Sequence, residues 1–145
     1  MKSLLICFLV GFLTSFPGCR SQTTTQKSPE FFFDSFIMGW GGGFTGHYDE
    51  FRIFVEGSIS KRNFENEVFE EYGLFPAKEA QLIFKELEEL SPRTIFLEDP
   101  GNMTSYLEVF KGEQSHKITW GGNNSNPPEE LQKFFDRTRE KLKAL

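Results

Sequence analysis

The chain has 145 residues, a net charge of −5 and a charged fraction of 26%, which suits one domain with short appendages. A hydrophobic fraction of 38%, with 18 phenylalanines, gives enough apolar surface for a packed core and argues against a chain disordered or membrane-embedded throughout. The acidic balance supplies no electrostatic attraction to nucleic acid.

The N-terminus reads as a targeting segment. Met1-Lys2 is a short positive start, and residues 4–13 are an apolar run. That run is too short for a spanning helix and suits the hydrophobic region of a signal peptide. Ser15-Phe16-Pro17-Gly18-Cys19 follows. Glycine directly before cysteine resembles a bacterial lipobox, in which the cysteine becomes the first mature residue and carries lipid. Phe16 stands where leucine is commonest, and Pro17 stands where a small residue is usual; ordinary secretion with cleavage nearby is the alternative. Cys7 would leave with the signal, so Cys19 is the one cysteine kept, and a disulfide framework is excluded. The expectation is a signal peptide over 1–18 and a lipid anchor on Cys19. The chain is then an exported lipoprotein held at a membrane of the bacterial cell envelope. Residues 19–30 are polar, with three consecutive threonines, and read as a disordered tether with a reach of about 17–20 Å.

A single α+β domain is expected over 31–145. Residues 31–38 open it as a strand with Phe36 and Met38 on one face and Ile37 on the other. Gly39-Trp40-Gly41-Gly42-Gly43-Phe44-Thr45-Gly46 reads as the connection to a second strand over 47–57, in which Phe51, Ile53 and Val55 alternate with Arg52 and Phe54. Residues 58–62 fit a short third strand. Residues 63–75 fit either a strand or a helical turn. Pro76 suits a helix start, and 77–90 has Ala80, Ile83, Phe84, Leu87 and Leu90 on one face. Ser91-Pro92 ends that helix.

A strand over 94–97, a turn over 98–102 and a hairpin of strands 104–110 and 114–120 follow. Gly121 to Pro128 is a loop. The closing helix, 129–145, aligns Leu131, Phe134, Phe135, Thr138, Leu142 and Leu145. The order β-β-(β)-α-β-β-β-α predicts an antiparallel sheet of five to six strands with two helices packed on it.

Catalytic patterns fit poorly. Gly41-Gly42-Gly43-Phe44-Thr45-Gly46 has the spacing G-x-G-x-x-G, but a dinucleotide site needs a helix next, and a strand pattern follows. His47 and His116 are far apart in sequence, although Asp49 and Glu50 lie near His47; zinc ligands usually come in tighter pairs. Adjacent Ser115 and His116 would point to opposite faces of a strand. No metal, cofactor or catalytic residue is assigned. An envelope enzyme or metal-dependent protein using His47, Asp49 or His116 is the alternative. Binding is what the remaining residues suggest. Trp40, Phe44 and Trp120 sit beside glycine-rich loops, where rigid aromatics serve as anchors. The tryptophans fit better as core caps on the end of the sheet. The two Trp-Gly-Gly steps, Trp40-Gly41-Gly42 and Trp120-Gly121-Gly122, suggest positions at one sheet edge.

The GGGFTG loop, the 77–90 helix, Pro100-Gly101-Asn102-Met103, the 114–120 strand and the closing helix resemble those of a group of small bacterial lipoproteins. They are similar, more distantly, to emfourin, a protein inhibitor of thermolysin-like metalloproteases. The element Gly42-Gly43-Phe44-Thr45-Gly46 carries that resemblance, over residues 36–142. It implies a non-enzymatic domain that binds an envelope or secreted protease. Trp40, Gly42, Gly43, Phe44, Thr45 and Trp120 are the candidate binding residues.

Overall fold

The structure is a computed structural model that describes residues 31–123 and 126–145. The signal peptide, Cys19 and the tether lie outside the described residues.

The strand β1 (Ser35–Gly42) lies inside a six-stranded antiparallel sheet. Its partner β2 (His47–Phe54) leads into β3 (Ser58–Arg62) and β4 (Phe69–Leu74) as a meander. The chain then forms helix α1 (Ala77–Glu89) and crosses to the other side of β1. There β5 (Met103–Lys111) pairs with β1, and β6 (Gln114–Trp120) completes a hairpin before helix α2 (Glu129–Lys143). The spatial order is β4-β3-β2-β1-β5-β6, an α+β architecture.

Alternation decides which face is covered. Phe36 and Met38 of β1, Phe51 and Ile53 of β2, Ile59 of β3, Leu107 and Val109 of β5 and Ile118 of β6 join one core cluster. Ala80, Ile83, Phe84 and Leu87 of α1 and Leu131, Phe134, Phe135 and Leu142 of α2 close over it. The Phe36 ring meets Phe84 edge-on at 5.4 Å and Phe134 at 6.0 Å. Pro76 and Pro128 precede the two helices with extended ψ, 140° and 139°. Proline supplies a preset φ there, without the hydrogen-bonding cap of a serine or aspartate.

The opposite face of the sheet is uncovered by helix, and its side chains hold one another. Arg52 lies between the rings of Phe54 and Phe110, at 5.0 and 4.9 Å, and donates to Ser35 Oγ at 3.2 Å. Lys117 Nζ stands 3.9 Å above the Tyr106 ring.

Two expectations change. Residues 94–97 do not form a strand. Pro92–Thr94 is one 3-10 turn, and the backbone after it pairs with β6 through a single parallel bridge at Glu98 and Thr119. The 3-10 turn takes up the first residues of the segment, and Pro100, which lacks an amide donor, limits pairing at its other end. The ambiguous stretch 63–75 resolves into a turn followed by strand β4. Four strands therefore precede α1, and two strands separate the helices.

Candidate functional site

The glycine stretch ends β1 and turns the chain into β2. Gly42, Gly43 and Gly46 have φ of 108°, 68° and 64°, a region where a Cβ costs roughly 1–2 kcal/mol. Gly43–Thr45 makes a single 3-10 turn closed by Gly46 N–H donating to Gly43 O at 3.3 Å. The Gly43 N–H donates to Asn102 O at 2.6 Å, which ties the turn to the loop before β5. Phe44 sits at the apex. Its ring meets no core residue and is fully exposed.

Other apolar side chains gather at this end of the sheet. Phe64, Val68 and Met103 are each more than half exposed. A Cβ on Gly43 would stand 3.3 Å from Met103 Sδ, so the sulfur lies directly against the turn. The His47 and Phe64 rings are 4.6 Å apart. Between the turn and Phe64 lies a depression of about 220 Å³, lined by Gly46, Tyr48, Glu50, Arg62, Asn63, Phe64 and Glu67.

A polar triad stiffens the wall of that depression. Arg62 Nη1 donates to Glu50 Oε2 at 2.9 Å, and the Tyr106 hydroxyl donates to Glu50 Oε1. The hydrogen bond to Glu50, followed by its charge, raises the Arg62 pKa above its ordinary value. Burial, followed by the bond to Glu50, pushes the Tyr106 phenol far up. At neutral pH the raised guanidinium is a cation and the raised phenol is neutral.

The candidate residues divide into two groups. Gly42, Gly43, Phe44 and Thr45 form the turn. Trp40 and Trp120 belong to the core side. They share one row across the sheet, on either side of Ser105. Trp40 stacks on Phe51 at 5.4 Å, and both indoles meet Phe135 edge-on, at 6.1 and 4.9 Å. Trp120 is buried and Trp40 half-buried. The indoles thus cap the end of the core beneath the turn, and of the three candidate aromatics Phe44 is the exposed one.

Sequence reasoning missed Phe64 and Met103. A signal for Phe64 was present in Asn63 and Asn66, two residues suited to local side-chain turns. Their Oδ1 atoms accept from Glu65 N–H and Val68 N–H, both at 2.9 Å. That chemistry makes 63–68 a turn and leaves Phe64 outside. Met103 carried no such signal.

His47, Asp49 and His116 are not brought together. Asp49 pairs with Lys61 at 2.8 Å. The His116 Nε2 atom is 2.9 Å from Ile95 O, on β6, with β1 and β5 lying between it and β2. Among the described residues no group of three or more His, Cys, Asp or Glu side chains could hold a metal ion. No helix among them is long and apolar enough to cross a membrane.

No protein-family model matches the chain, and a comparison with curated proteins finds no match.

Proposed function

We propose that this chain is a non-catalytic binding protein of the bacterial cell envelope, tethered by a lipid on Cys19, which engages a protein partner through the Gly42–Gly46 turn. The observation that carries the reading is Phe44, an aromatic ring held fully in solvent on a turn whose backbone only glycines adopt readily. An exposed ring on a rigid turn loses little conformational entropy when it docks. Phe64, Val68 and Met103 around it supply further apolar surface.

The anchor reading fits the direction of the domain. The described chain begins at Phe31, beside the start of β1, and the turn lies at the far end of that eight-residue strand. The strand spans roughly 23 Å. A domain tethered before Phe31 would hold Phe44 away from the membrane.

The resemblance of Gly42-Gly43-Phe44-Thr45-Gly46 to emfourin suggests the partner class, a thermolysin-like metalloprotease. The test is inhibition of such proteases by the chain carrying Cys19→Ser. Inhibition that disappears with Phe44→Ala is the expected result. Absence of inhibition at micromolar protein would remove the protease as partner. Separately, Cys19→Ser should release the protein from the membrane fraction, and retention there would overturn the anchor.

A further inference from the structure

The two edges of the sheet are finished differently. On β6 the outer edge is occupied by the chain itself. Thr119 N–H donates to Leu97 O at 2.9 Å, and Asp99 N–H donates to Thr119 O at 3.0 Å. On β4, the other edge, no backbone group on the outer side is paired among the described residues.

The phase of the β3–β4 ladder shows which groups those are. Asn63 N–H donates to Val68 O, and Phe75 N–H donates to Gly57 O, both at 2.9 Å. Antiparallel pairs alternate between bonded and unbonded positions. Phe69, opposite Arg62, Glu71, opposite Ser60, and Leu74, opposite Ser58, are therefore the unbonded positions. Their N–H and C=O groups point outward, a ready template for another strand.

Edges are commonly blunted by lysine or another charge, by proline or by a β-bulge; β4 has no lysine or proline, and an extra residue, Tyr72, shifts its register against β3 between Ile59 and Ser60. Its charges are Glu70 and Glu71, and the loop before it adds Glu65 and Glu67. The cations nearby are already engaged, Lys61 with Asp49 and Arg62 with Glu50. Glu71 has no side-chain partner among the described residues. Pairing β4 with β4 of a second copy would bring four carboxylates together, which like-charge repulsion opposes.

We infer that β4 docks an extended segment of another protein as a seventh strand, with Lys or Arg side chains on the face of Glu71; Glu70 points to the other face, where it accepts from Asn63 and Asn66. Backbone pairing supplies the affinity and charge supplies the selection. This site is separate from the glycine turn, so Phe44→Ala leaves it unchanged.

The probe is a capped hexapeptide alternating lysine and valine, added to the full chain carrying Cys19→Ser. Binding should slow hydrogen exchange at the Phe69, Glu71 and Leu74 amides and weaken as salt rises. Glu71→Lys should weaken it about five- to tenfold. N-methylation of alternate peptide amides should abolish it while leaving the protein untouched. Equal binding by the N-methylated peptide, or by one alternating glutamate and valine, would overturn the inference. So would dimerisation through β4 without peptide, or unchanged exchange at millimolar peptide.

Discussion

The Tyr106 hydroxyl donates to the Glu50 carboxylate across the bare backbone of Gly39. A Cβ on Gly39 would lie 2.4 Å from Tyr106 Cε1. The glycine is what allows the ring to lie flat on β1 and reach a residue two strands away.

Gly39→Ala should therefore cost about 1–3 kcal/mol, because the ring must move and its bond to Glu50 with it. In a Tyr106→Ala background the same change should be close to neutral, since the clash is gone. Denaturant midpoints of the four proteins give the coupling, expected at about 0.5–3 kcal/mol. An equal cost in both backgrounds would refute the contact.

Alkaline pH should expose the same bond. The Tyr106 phenol is raised in the folded protein by burial and by Glu50. Its contribution is complete below the unfolded tyrosine value near 10, and declines as pH rises past that value. Stability measured from pH 8 to pH 11 should fall, and Tyr106→Phe should flatten that part of the decline.

The turn can be tested where space plays no part. A Cβ on Gly46 would meet nothing within 4 Å, yet its φ is 64°. Gly46→Ala should cost roughly 1–2 kcal/mol through the backbone alone, and Gly46→Asn should cost less. Equal losses for the two variants in chemical denaturation would mean the turn does not require the left-handed conformation.

Two phenylalanines should separate stability from binding. Phe135 is fully buried between the two indoles, so Phe135→Ala should cost about 3–5 kcal/mol and shift the tryptophan fluorescence. Phe44→Ala removes only exposed surface and should stay within about 0.5 kcal/mol of the parent. A Phe44→Ala protein that unfolds would place that ring in the core instead.

Most of the architecture was legible because it rests on periodicity. Phe36 and Met38, Phe51 and Ile53, and the Ala80-to-Leu87 stripe each report which side is buried. Residues 94–97 misled because a short apolar alternation looks the same whether it becomes a strand or a strap tied by two bonds to one neighbour. The stretch 63–75 stayed ambiguous because β4 is an exposed edge, and an edge with glutamates has little apolar pattern to show.

The site was only partly legible. Gly42, Gly43 and Gly46 announced an unusual backbone, and Phe44 stood out between them. Which aromatics face water is set by tertiary packing. Trp40 and Trp120 lie in one row because β5 pairs with both β1 and β6; the repeated Trp-Gly-Gly step hinted at a shared sheet edge, but the pairing that makes the row is tertiary. Met103 reaches the turn for the same reason.

The central claim is that Phe44 on its glycine turn is the contact for a protein partner. The most direct measurement is inhibition of a thermolysin-like metalloprotease by the Cys19→Ser chain, with and without Phe44→Ala, at equal folded fraction. The account predicts inhibition by the first protein and at least a tenfold loss, about 1.4 kcal/mol, in the second. Equal inhibition by both proteins would contradict the turn as the contact, and inhibition by neither would contradict the protease as the partner.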